Sequence, residues 1–171
     1  MRTRTCVLLL LAVSCVGCRF HHNHAAAHAL SPDQSAAVKS SVQTFMQNVA
    51  GDVTHDGPSA WSKYFADTPA FFMADEGRLV FPNYAAADAA IHSLESDITQ
   101  IELKWGDDLR IDPLTTNFAA VGTSYHEFRT EKSGHHIDES GFFTATAGLS
   151  DGRWQFRNAH WSVISPPPAV Q

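Results

Sequence analysis

Apolar residues recur along this chain first at helical spacing and then, from about residue 100, in strict alternation. Val38, Val42, Phe45, Met46 and Val49 return every three or four positions and so share one face of an α-helix. Ser31-Pro32-Asp33-Gln34 supplies its start, because serine caps, proline suits the first turn and glutamine three residues on completes a capping box. Gly51 is the expected stop. A short second helix is expected from Gly57-Pro58, carrying Trp61, Tyr64 and Phe65. Ala70 to Ala74 and Arg78 to Phe81 flank the turn composition Asp75-Glu76-Gly77 and read as a hairpin. Asn83 then caps a third helix with the stripe Tyr84, Ala87, Ile91, Leu94 and Ile98.

Beyond that helix, Ile101, Leu103 and Trp105 alternate with Gln100, Glu102 and Lys104, and the strand continues through a bulge at Gly106 toward Ile111. Two long strands, Phe118 to Thr130 and Ile137 to Leu149, join across Ser133-Gly134. Asp151-Gly152 favours positive backbone dihedrals and turns the second of them into a closing strand, which Pro166-Pro167-Pro168 ends. Three helices, a hairpin and four antiparallel strands predict an α+β domain with the helices covering one face of a curved sheet.

The ends of the chain add an address. Arg2 and Arg4 precede an apolar run from Val7 to Val13, too short for a membrane span of ~20 residues and shaped like the core of a secretory signal. Cys15 and Cys18 follow it, and the residues before each resemble the box at which bacterial lipoproteins are cleaved and acylated; ordinary cleavage without a lipid is the alternative. This divides the chain into a signal over 1–18, a histidine- and alanine-rich tether over 19–30, the domain over 31–165 and a proline-rich tail over 166–171. The expectation is an exported, lipid-anchored protein of the cell envelope, facing the periplasm and touching the membrane through its anchor alone. All three cysteines lie at or before position 18, so the exported body has no disulfide or thiolate metal site. The tether holds four of the ten histidines without a fixed geometry for a metal, and no metal or cofactor is expected. A formal charge of −6 argues against nucleic acid as a partner.

With this order of elements, the strand Gly141-Phe142-Phe143-Thr144, the turn Asp151-Gly152-Arg153-Trp154 and the closing His160-Trp161-Ser162 resemble the SnoaL-like branch of the nuclear transport factor 2-like superfamily, of the DUF4440 type. The resemblance covers about Ser31 to Ile164 and implies a cone: a curved, mostly antiparallel sheet with three helices on its concave side, enclosing a pocket and often dimerising. Members include isomerases, dehydratases, hydrolases, cyclases and proteins without catalysis, so the fold leaves the function open.

Strand register proposes which residues line such a pocket. A two-residue turn at Asp151-Gly152 sets Phe143 opposite His160 and Gly141 opposite Ser162. An even turn around Ser133-Gly134 would add Ser124 and His126 to that face, whereas an odd one would bring Tyr125 and Glu127 inward. The expected ligand site is therefore Trp61, Phe65, Ser124, Phe143 and Ser162 around a small apolar molecule. His160, with His126 orienting the substrate, is the candidate general acid or base, since an imidazole exchanges protons near neutral pH. The opposite face of the last strand, with Trp161 and Val163, is the expected surface of a homodimer. Binding ranks first, an isomerase- or dehydratase-like enzyme second, a structural or dimerisation module third. The acidic base and tyrosine of steroid-isomerase members find no match here, for helix one carries Phe45 and no tyrosine, and Asp75 falls in a turn.

Overall fold

The computed structural model describes residues 29–164; the expected signal with Cys15 and Cys18, residues 19–28 of the expected tether and the chain from 165 on, with the proline-rich stretch, lie outside the described residues. Helix α1 (Pro32–Asp56) opens on the expected capping box, with Ser31 Oγ accepting from the Gln34 amide at 3.2 Å and Gln34 Oε1 accepting from the Ser31 amide at 2.9 Å. It runs through Gly51 and stops at Gly57, whose φ of 83° ends the helix while its N–H donates to Val53 O. The reason is Val53, the next member of the apolar stripe, which is fully buried. Burying a valine is worth about 1.5–3 kcal/mol, more than the roughly 1 kcal/mol that a glycine costs inside a helix.

A 3₁₀ helix (Pro58–Lys63) follows, then the hairpin β1 (Phe72–Asp75) and β2 (Arg78–Phe81), turning on Glu76 and Gly77, both at positive φ. Helix α2 (Tyr84–Asp97) is capped by Asn83, whose side chain accepts from the Ala86 amide. Ile98 does not extend the helical stripe but opens β3 (Ile98–Trp105). Both β3 and β4 (Arg110–Thr115) pair with β5 (Phe118–Glu131), Trp105 opposite Tyr125 and Arg110 opposite Gly122, so the four residues 106–109 face Thr123 and Ser124 alone. The expected bulge at Gly106 is thus a looped-out segment. Asp108 pins it, accepting from the Ser124 amide at 2.9 Å, Ser124 Oγ at 2.8 Å and Thr123 Oγ1 at 3.2 Å.

Strands β6 (His136–Ser150) and β7 (Arg153–Val163) complete a sheet of order β2-β1-β7-β6-β5-β3. The hairpin attaches through β1, parallel to β7, which makes the sheet mixed. On the other side, Thr54 of α1 screens the edge of β3, its Oγ1 accepting from the Leu103 amide at 3.0 Å. Trp105 Nε1 donates to Met46 O at 2.7 Å, and Phe71, Phe143, Phe156 and Met46 fill the layer between helices and sheet.

Two registers decide which side chains face that layer. Thr130 pairs with His136, leaving five residues in the connection, an odd number, so Tyr125 faces inward opposite Gly141 while Ser124 and His126 turn out. Between β6 and β7 the two-residue turn pairs Ser150 with Arg153 as expected, and this register holds to Ala147 opposite Phe156. There a bulge intervenes: Thr146 pairs with Asn158, leaving Arg157 extra, and every later pair is shifted by one. Phe143 therefore lies opposite Trp161, not His160, and Gly141 opposite Val163, not Ser162. The side chains of His160 and Ser162 go to the outer face. Trp161 and Val163, expected on an outer partner surface, belong to the inner face instead.

Candidate functional site

At the end of the sheet near the hairpin, the helices leave a cavity of about 300 Å³ uncovered. Trp61 and Phe65 stack with ring centroids 5.4 Å apart on one wall, Trp161 and Val163 of β7 form the floor, and Phe81 of β2 and Leu94 of α2 form the rim. Leu94 is 42% exposed, which its place at the mouth of the cavity explains. Trp161 is held in position by rings around it: Phe143 at 4.5 Å, Tyr125 at 4.6 Å edge-on, Trp61 at 5.7 Å and Trp105 at 5.9 Å.

The polar end of the cavity comes from consecutive inward positions of β5, Tyr125, Glu127 and Arg129, with Glu139 from β6 and Asp75 from β1. Tyr125 lies over Gly141, where a Cβ would sit 2.7 Å from its ring carbon and 1.9 Å from the Ser162 carbonyl oxygen. Glycine at this position lets the ring lie flat across the strand. The tyrosine is 3% exposed, and its hydroxyl makes no regular hydrogen bond among the described residues, although the Glu139 carboxylate lies near enough to act on it. Burial, joined by the nearby carboxylates of Glu139, Glu127 and Asp75, raises its pKa well above the ordinary phenol value and keeps it protonated.

Glu127 and Glu139 are directly opposite each other on β5 and β6, an unfavourable placement for two like charges. Arg129 mediates, with Nη1 at 2.7 Å from Glu127 Oε1 and Nη2 at 3.8 Å from Glu139 Oε2. Glu127 is 7% exposed. Its pKa is raised, first by burial and then by the neighbouring Glu139 charge, against the opposing pull of Arg129. A carboxylate whose pKa is raised, beside a protonated phenol, can accept and return a proton, or anchor a donor group.

Of the residues singled out from the sequence, Trp61 and Phe65 border this cavity. Phe143 lies beneath it, fully buried against Trp161 and Phe156. Ser124, His126, His160 and Ser162 are on the other face. Ser124 holds Asp108, Ser162 Oγ donates to Phe142 O at 3.2 Å, and His126 Nε2 meets Asp138 Oδ1 at 2.6 Å. The structure does not bring His160 and His126 to the cavity. Among the described residues no three histidine, cysteine, aspartate or glutamate side chains are arranged to hold a metal ion. Asp75, expected in the turn, is instead the last residue of β1 and lines the cavity. Glu127 and Tyr125 are the pair that the odd-turn alternative brings inward, while sequence reasoning misses Arg129 and Glu139. Their trace is the alternation Tyr125-x-Glu127-x-Arg129, which places a buried charge and its counter-charge on one strand face.

No family model and no curated protein matches the chain. Solved structures do. A nuclear transport factor 2-like superfamily protein from Salmonella enterica serovar Typhimurium superposes with a TM-score of 0.66 at 11% identity, covering 80% of this chain and 97% of that one. The chain has the nuclear transport factor 2-like fold. A candidate scytalone dehydratase from Novosphingobium aromaticivorans matches with a TM-score of 0.67 at 12% identity over 82% of this chain and 94% of its own. The hexachlorocyclohexane dehydrochlorinase LinA-type3 from Novosphingobium barchaimii gives 0.62 at 12% identity over 82% and 97%. At these identities the likeness extends to the nuclear transport factor 2-like architecture and not to any site.

Proposed function

We propose that this domain binds a small, largely apolar molecule in the cavity walled by Trp61, Phe65, Phe81 and Trp161. The observation that carries the reading is the Tyr125 hydroxyl, buried and unpartnered among the described residues at the polar end of an otherwise aromatic pocket. A buried polar group without a partner costs roughly 1–3 kcal/mol, a cost that a ligand hydrogen bond would remove. The volume of about 300 Å³ is at the lower end of the ~300–1,000 Å³ range of ligand sites, which suits a compact molecule. Titration with neutral aromatic compounds should change the fluorescence of Trp61 and Trp161 saturably, and Val163→Trp, which fills the floor, should abolish the change. A flat response across a broad panel, identical in the variant, would leave the pocket without a role.

A second reading is favoured by Glu127, whose raised pKa and inward position suit a general base. Two structural neighbours bear the names of a dehydratase and a dehydrochlorinase, and an elimination needs a group that removes a proton from carbon. Here that group would be Glu127, with the Tyr125 hydroxyl donating to the developing negative charge, and His160 would have no part. Glu127→Gln should then bind substrate and turn none over.

We also propose export and acylation at Cys18 or Cys15, supported by the basic start, the short apolar run and the cysteines that close it. The mass of the mature N-terminus tests this, and an unmodified start downstream of both cysteines would refute the lipid. Self-association stays a proposal as well, with Phe142 and Phe118 as its exposed outer-face residues in place of Trp161.

A further inference from the structure

The polar end of the pocket is short of positive charge. Three carboxylates, Asp75, Glu127 and Glu139, line it with one cation, Arg129. That guanidinium is already engaged by Glu127 and Glu139, and among the described residues no lysine, arginine or histidine pairs with Asp75. The end is negative whether Glu127 is ionised or holds its proton. An anionic ligand would meet this field at close range, and an isolated carboxylate beside apolar walls is itself costly to keep. A bound metal ion would supply the missing charge, but the described residues do not place three metal-binding side chains together. The walls next to the carboxylates carry the aromatic rings of Trp61, Phe81 and Trp161, and aromatic rings attract cations through their quadrupoles. Tyr125 lines the same space, and its buried hydroxyl, with no regular hydrogen bond among the described residues, offers an acceptor oxygen beside the carboxylates.

Resting on the pocket reading above, we propose that the ligand is an organic cation: an ammonium group carried on a compact apolar body. The nitrogen sits between Asp75, Glu139 and the Tyr125 oxygen, donating its N–H groups to them, while the body packs against Trp61, Trp161 and Phe81. Arg129 stays with Glu127 and sets the depth of the nitrogen by repulsion. Recognition thus combines charge-assisted hydrogen bonds with cation–π contact, the two interactions that separate an amine from an alcohol or acid of the same shape.

Matched sets test this: an amine, an alcohol and a carboxylate on each of phenylbutyl, naphthylmethyl and decyl bodies, titrated into the folded domain by calorimetry. The amine of at least one set should bind about tenfold or more tighter than its alcohol, and the carboxylate weakest. Asp75→Asn and Glu139→Gln should each bring the amine toward the alcohol without changing the alcohol. Alcohols or carboxylates binding as well as the amines would overturn the cation and leave the pocket standing. Failure of all nine compounds would overturn both. Amines favoured equally in both carboxylate variants would show nonspecific attraction to an acidic protein and would also refute the assignment.

Discussion

Trp161 and its neighbour His160 exchange roles across a single extra residue, Arg157, and that exchange can be measured. With the bulge in β7, Trp161→Ala removes a side chain in contact with the rings of Phe143, Tyr125, Trp61 and Trp105. Truncating a buried tryptophan costs roughly 3–5 kcal/mol; Trp161 borders an open cavity and is only partly buried, which puts it at about 3 kcal/mol. Unfolding entropy near 2.1 cal/mol/K per residue gives the ordered domain about 0.3 kcal/mol per degree, so the melting temperature should fall by roughly 10 °C. His160→Ala removes an outer-face side chain, and such substitutions stay within about 0.5 kcal/mol, a degree or two. Differential scanning calorimetry of the two variants side by side is the assay. A larger loss from His160→Ala than from Trp161→Ala would mean that the unbulged register is the true one, and the pocket as described would fall with it.

Three more outcomes follow from individual contacts. Glu127→Gln should flatten the pH dependence of stability: above the ordinary glutamate value of 4.5 the unfolded chain has lost a proton that the folded chain still holds, so wild-type stability declines as pH rises toward the elevated folded value, and the difference in melting temperature between variant and wild type should grow over that interval. Gly141→Ala puts a Cβ 1.9 Å from the Ser162 carbonyl oxygen and against Tyr125, and should cost about 1–3 kcal/mol in denaturant titration while weakening probe binding; an unchanged midpoint would contradict the close approach of β6 and β7. Ser31→Ala deletes one half of the capping box and should cost about 1 kcal/mol with no effect on binding, which a thermal melt and a probe titration report together.

Much of this architecture was legible in the sequence. The capping box at Ser31, the Asn83 cap, the hairpin around Glu76-Gly77 and the Asp151-Gly152 turn are local signals, set by a few residues' own hydrogen bonds and dihedrals, and each stands where the pattern put it. The stripe from Val38 to Val49 is likewise buried as its spacing required. Gly51 misled because a local stop signal competes with burial of Val53, a contact made with distant parts of the chain.

The site was less legible because a strand repeats every two residues. Any one-residue slip moves a whole set of side chains to the opposite face, and neither the parity of the β5–β6 connection nor the bulge at Arg157 is fixed by composition at the turn. The trace of the bulge is faint but present. Apolar residues stand at Trp154 and Phe156 and then at Ala159, Trp161 and Val163, and the break in alternation between 156 and 159 marks the extra residue. What chooses the bulged register is tertiary: it buries Ala159 and brings Trp161 among four aromatic rings, where the straight register would turn His160 inward and Trp161 outward. The parity of the β5–β6 connection likewise puts Tyr125, Glu127 and Arg129 inside, opposite Gly141, Glu139 and Ile137. Helices, turns, strands and their order follow from neighbours along the chain; which of two alternating faces becomes the pocket follows from packing across the sheet, where burial of a tryptophan outweighs burial of a histidine.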